Sequence, residues 1–226
     1  MKTIHGVNVP TTLAEWADPA GAALIVVDMQ NEIWSPKGGY SRNTDSKPTE
    51  TDPVIRVIQR LLGAARGSGT QVVYAEYVHR NRLGANLMDG PNYATHRNAD
   101  WVSCVTEGTW EAQTIDELAP QEGDFVFTKS RGSSFKSTNM DDVLRTRGIR
   151  TLILTGCATG GCVMSTHIGA LSRGYYPLLV TDAISPAGQE SWTEWMQSMG
   201  PSCTSEQLTE CWQQMGRKST TQTSKV

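Results

Sequence analysis

Short apolar runs recur along the chain at Ala22 to Val27, Gln71 to Tyr77, Asp124 to Thr128, Thr151 to Leu154 and Pro177 to Thr181. A strand with one face in water alternates apolar and polar residues, whereas a run apolar at nearly every position suits a strand covered on both sides, as in a parallel sheet between helices. Helical periodicity fills the gaps. Val54, Ile55, Ile58, Leu61, Leu62 and Ala65 repeat at three- and four-residue spacing behind Asp52-Pro53, and Gly67 and Gly69 end the segment. Asn139 to Arg147 reads the same way before Gly148. Val163, Thr166, His167, Ala170 and Leu171 mark the face of a third helix closed by Gly174. Strands alternating with helices predict an α/β fold.

With 226 residues and no internal repeat, one domain is expected, with residues 1–21 as an N-terminal extension, 22–215 as the domain and 216–226 as a polar tail. The stretches Ser35 to Thr51 and Arg80 to Asp100, rich in Gly, Ser, Pro and charge, read as long connections bordering a site. Lys plus Arg is 20 against 23 Asp plus Glu, scattered rather than striped, which argues against nucleic acid as a partner. The apolar run Ala22 to Val27 is far short of the ~20 residues that cross a bilayer, and Met1 to His5 lacks a signal-peptide core, so no membrane partner and a cytoplasmic location are expected. Five cysteines, at 104, 157, 162, 203 and 211, form no CxxC pair and have no histidine at zinc-ligand spacing. Free thiols and no metal are the expectation.

In open α/β sheets ligands bind beyond the carboxyl ends of the strands. The first polar groups after the buried runs are Asp28, Lys129 and the segment Thr155 to Cys162. Each has an ordinary structural use: an Asp closing a strand caps a turn, a Lys is a solvated charge, and a Cys is a small buried hydrophobe. Together at one sheet edge, an acid, an amine and a thiol suit nucleophilic catalysis, with a cation and a helix start lowering the thiol pKa while a carboxylate accepts its proton. Gly63, Gly67 and Gly69 end a helix instead of opening one, so no dinucleotide fingerprint is present.

Four segments, Ala23-Leu-Ile-Val-Val-Asp-Met-Gln-Asn31, Lys129-Ser-Arg-Gly-Ser-Ser-Phe135, Thr155-Gly-Cys-Ala-Thr-Gly-Gly-Cys-Val-Met-Ser-Thr166 and Arg173-Gly-Tyr-Tyr-Pro-Leu-Leu-Val-Thr-Asp-Ala183, resemble the isochorismatase-like cysteine hydrolases. The resemblance runs from about Ala22 to Ala187. It implies a single-domain three-layer α/β/α fold with a mostly parallel sheet. It further implies Asp28 as general base, Lys129 as the group orienting thiolate and substrate, Cys162 and not Cys157 as nucleophile, backbone N–H groups of Ala158 and Cys162 as oxyanion hole, and a cis bond between Cys157 and Ala158. No cofactor is needed by that scheme.

The chain departs from parts of that family. Nicotinamidase members hold a metal with an Asp-x-His pair, and histidines 5, 79, 96 and 167 include no such pair. Members that cleave the vinyl ether of isochorismate lack the nucleophilic thiol, which Cys162 supplies here. Gly132 stands where many ureide-cleaving relatives carry an aromatic residue. The expected activity is therefore hydrolysis of a small amide or ureide C–N bond through a thioester, with Gln30, Arg131 and His79 as substrate-contact candidates. Isochorismate-type hydrolysis, non-catalytic binding on the same fold and a Cys157–Cys162 redox pair are the alternatives. His167 is expected to pack in the core. Trp192 and Trp195, one helical turn apart, suit a core or a subunit contact, and family habit suggests a homodimer or homotetramer.

Overall fold

The computed structural model describes residues 1–39, 53–79, 105–185 and 190–223, with side chains described to residue 217. Cys104, His96 and most of the two long connections lie outside the described residues. A hairpin of β1 (Lys2–Ile4) and β2 (Val7–Val9) and a short helix α1 (Leu13–Trp16) precede the main sheet. The sheet comprises β3 (Ala22–Val27), β4 (Gln71–Tyr77), β5 (Phe125–Lys129), β6 (Thr151–Cys157), β7 (Tyr176–Ser185) and β8 (Ser202–Cys203), in the order β5-β4-β3-β6-β7-β8. Neighbouring strands in it pair in parallel.

The central strand shows why its run is apolar throughout. Ala22, Leu24 and Val26 enter one core, and Ala23, Ile25 and Val27 enter the other. On the first face lie α2 (Asn31–Trp34), α3 (Pro53–Ser68) and α7 (Ser205–Thr223), whose Trp34, Ile58, Leu61, Leu208 and Trp212 are buried there. On the second lie α4 (Met140–Thr146), α5 (Met164–Leu171) and α6 (Glu190–Met199), with Met140, Leu144, Ala170 and Met196 in that core. Each fully buried Leu, Ile or Met contributes roughly 1.5–3 kcal/mol. The result is the three-layer α/β/α arrangement, and its parallel strands point their carboxyl ends to one edge.

The boundaries differ from the pattern in instructive places. β5 is an edge strand with Val126 exposed, and it extends one residue further than expected, to Lys129. β7 runs on to Ser185 past an irregularity opposite Leu154 and Gly156. α7 continues through Thr223, across most of the segment expected as a polar tail. Trp192, Trp195 and Met199 on α6 are exposed, so the two tryptophans are not core residues. Among the described residues no helix is long and apolar enough to cross a membrane.

Val27 of β3 and Gly156 of β6 are register partners. Gly156 has φ 103°, and a Cβ there would stand 2.1 Å from the Val27 carbonyl oxygen. Only glycine meets both the left-handed backbone and the contact. Gly63, exposed inside α3, has open space around it and no unusual backbone. Gly156→Ala should therefore fail to give folded protein, while Gly63→Ala should gain about 0.4–1 kcal/mol. Urea denaturation followed by circular dichroism measures both.

Candidate active site

The catalytic candidates sit where β3, β5 and β6 end. Lys129, the last residue of β5, reaches across the neighbouring end of β4, and the register pairing of Tyr77 with Lys129 places the Tyr77 ring beneath the ammonium, 4.8 Å from Nζ to the ring centroid. Nζ donates to Asp28 Oδ2 at 2.9 Å, to Cys162 Sγ at 3.2 Å and to the Arg131 carbonyl oxygen at 3.2 Å. An ammonium has three N–H bonds, and here each has a partner. The side chains of Lys129 and Asp28 are 0% and 4% exposed, so this is an ion pair removed from water.

Asp28 leaves β3 with φ 51°, a left-handed conformation that Asp tolerates better than most residues. Its Oδ2 is engaged by Lys129, whereas Oδ1 is buried and has no partner in ordinary hydrogen-bond geometry among the described residues. Burial raises its pKa from the ordinary aspartate value despite the opposing pull of Lys129. Burial alone would lower the Lys129 pKa, but Asp28 and Cys162 more than offset that and raise it. The ammonium is therefore secured in its charged form.

Cys162 lies inside a single π-type turn, Thr159–Val163, which feeds α5. The helix start read from the sequence beside the thiol is not a regular one. Instead Gly161 takes φ −117° and ψ −106°, a kink that lets the chain turn before α5 begins. The expected lowering of the thiol pKa is not found either. Burial, followed by the negative charge of Asp28, pushes Cys162 up to about 12, against the smaller pull of Lys129. Both effects favour the protonated sulfur.

The remaining candidates divide. The peptide bond between Cys157 and Ala158 is cis, as the resemblance implied. The Ala158 carbonyl accepts from the N–H groups of Gly161 and Val163, at 2.9 and 3.2 Å, which folds the Cys162 turn back over residue 158. Gln30 requires correction as a substrate contact. It is fully buried, and its amide donates to the carbonyls of Tyr77 and Ala112 at 2.8 and 2.7 Å and accepts from the Tyr77 N–H at 2.9 Å. Its polar atoms are used in stitching β4 to the segment after β3. His79 is buried with its ring edge-on to Tyr77, centroids 5.1 Å apart. Arg131 is exposed, with Nη1 donating to the Ser130 carbonyl at 3.0 Å, and its own carbonyl is what meets Lys129.

His167 is buried in α5 with neither ring nitrogen hydrogen-bonded among the described residues, and burial lowers its pKa to about 4, so it is a neutral packed residue. Cys157 and Cys162 are both free thiols with different partners, Asp28 O and Lys129 Nζ. Tyr77 and the carbonyl of Arg131 were missed in the sequence. The signal for Tyr77 was available, because it ends a buried run as Asp28 follows one. A cavity of about 290 Å³ between Trp34, Lys37, Trp110 and Glu117 shares no lining residue with the Asp28, Lys129 and Cys162 cluster.

Residues 22–209 match the family model described as an isochorismatase domain. Among solved structures, a cysteine hydrolase from Pseudomonas syringae pv. phaseolicola 1448A aligns with a TM-score of 0.73 at 25% sequence identity, over 87% of this chain and 94% of that one. N-carbamoylsarcosine amidase from Thermoplasma acidophilum aligns at 0.66 and 29% identity, over 82% of this chain and 96% of that one. The pyrazinamidase/nicotinamidase from Streptococcus mutans UA159 shares the fold, with a TM-score of 0.66 and 21% identity over 81% of this chain and 100% of that one. The matched span begins with β3 and extends into α7, taking in the strands and turns that carry Asp28, Lys129 and Cys162. The chain belongs to the isochorismatase family and is an isochorismatase-like hydrolase.

Proposed function

We propose that the protein hydrolyses a small amide or ureide C–N bond through a thioester on Cys162. The observation that carries this reading is the Lys129 ammonium placed between the Asp28 carboxylate and the Cys162 sulfur. Similarity to an N-carbamoylsarcosine amidase at 29% identity supports the C–N bond as the target.

In this scheme Asp28 takes the Cys162 proton as sulfur attacks the substrate carbonyl carbon. The electron pair of the C=O bond moves to oxygen, and the backbone N–H groups of Ala158 and Cys162 stabilise the oxyanion. Asp28 returns its proton to the departing nitrogen, which leaves as ammonia or an amine. Water then attacks the thioester while Asp28 removes its proton, and collapse of the second tetrahedral species returns the thiol. Lys129 holds the base and the nucleophile together throughout. No step uses a metal or a cofactor. Arg131 and Lys136, exposed on the segment after β5, supply cationic partners for a second polar or carboxylate group on the substrate.

Ammonia release from a panel of ureido acids, short-chain amides and nicotinamide, with and without EDTA, tests this reading. Turnover insensitive to chelator is expected, and activity only on isochorismate would contradict it. Asp28→Asn should lower kcat/KM by about 10²–10⁴-fold, the range of a positioned general base. Because the base must be ionised and its pKa is raised, activity should fall on acidification with an apparent pKa above the ordinary aspartate value of about 4. A pH profile of kcat/KM gives that limb directly. The protein is further proposed to self-associate, and light scattering at micromolar concentration should report a dimer or tetramer.

A further inference from the structure

Cys157 is a second cysteine of the same segment, and the proposed reaction gives it no task. It is 2% exposed, and its thiol donates to the Asp28 carbonyl oxygen at 3.1 Å. Burial raises the Cys157 pKa well above that of a free thiol, so the proton stays on sulfur and the group remains a donor.

Asp28 is the residue in need of such support. With φ 51° it departs from the extended chain of β3, and a conformation of this kind persists only where the surroundings hold it. Its N–H is held by the Ala75 carbonyl of β4 at 3.1 Å, and its carbonyl by the Cys157 thiol at the end of β6. The two neighbouring strands thus hold the peptide groups on either side of the Asp28 Cα, and its carboxylate meets Lys129. β6 uses the same device two residues earlier, where the Thr155 hydroxyl donates to the Ile25 carbonyl at 2.9 Å.

We propose that Cys157 is a positioning residue whose thiol, by donating to the Asp28 carbonyl, fixes the backbone turn that points the Asp28 carboxylate at Cys162. The proposal rests on the reading of Asp28 as the base. It differs from a packing role in what it demands of the side chain. Packing requires apolar volume, which valine supplies and serine does not; positioning requires a donor, which serine supplies and valine does not.

The test is a pH profile of kcat/KM for ammonia release, taken on the full chain between about pH 5 and 8 with the most active substrate of the panel above. Wild type, Asp28→Asn, Cys157→Val, Cys157→Ala and Cys157→Ser are compared, with urea midpoints to show which are folded. Cys157→Val and Cys157→Ala should each lower kcat/KM about tenfold, as displacement of a base by a fraction of an ångström would, and Cys157→Ser should remain within about threefold of wild type. Any folded donor-less variant with the wild-type kcat/KM overturns the proposal, as does Cys157→Ser being as slow as Cys157→Ala. An Asp28→Asn variant as active as wild type would instead overturn the assignment of Asp28 as base, and this proposal with it.

Discussion

A lysine ammonium without water is the constraint on which the site depends. Removing such a group from solvent costs several kcal/mol, and the cost is offset only if every donor finds a partner of good geometry. Lys129 meets that condition with a carboxylate, a sulfur and a backbone carbonyl, above the face of Tyr77. Its partners come from the end of β3, the turn after β6 and the segment following β5, so one cation ties together elements distant in the chain. Strand order makes this possible: β5, β4, β3 and β6 are consecutive neighbours, and a lysine side chain spans the width of the intervening strand. Removing either member of the Asp28–Lys129 pair would leave a buried charge unpaired, which typically costs about 3–5 kcal/mol.

The same arrangement decides where protons reside. A cation near a sulfur is commonly associated with a thiolate, yet here Lys129 is already neutralised by Asp28 and its net field at Cys162 is small. Burial then dominates, and the thiol keeps its proton. The pKa of Asp28, the proposed base, is also raised by burial, which brings it closer to the value at which a carboxylate exchanges protons well near neutrality. In the proposed reaction the nucleophile is generated on demand rather than stored, and the quality of the Asp28 placement becomes the controlling factor. That is why the backbone around Asp28 is held from both sides and why Gly156 must allow β6 so close to Val27.

Much of this was legible in the chain. Runs such as Ala22 to Val27 have no polar face, so burial on both sides and a parallel sheet follow from them, and strand ends then locate Asp28 and Lys129. The failures have physical causes. β1 and β2 are exposed and β8 has two residues, so none carries a burial pattern. α6 turns Trp192, Trp195 and Met199 outward, and its apolar residues therefore mark the wrong face. In α7 the signal was present, since Leu208, Cys211, Trp212 and Met215 repeat at helical spacing and pack on the first core. At the site, residue type suggested Gln30 as a substrate contact, but a side-chain amide deep in the fold goes first to unpaired backbone groups, and Tyr77 and Ala112 supply them. The thiol pKa was misjudged because a sequence shows which charges are near and not how far water is excluded.

The claim that Lys129 joins the base and the nucleophile into one unit is tested most directly by a double-mutant cycle in kcat/KM for ammonia release, using Asp28→Asn, Lys129→Met and their combination. Residues acting as a unit lose most of the rate with the first substitution, so the double variant should be little slower than the slower single variant. Losses that multiply, with the double variant slowed by the product of the two single effects, would show that Asp28 and Lys129 act independently and would contradict the account.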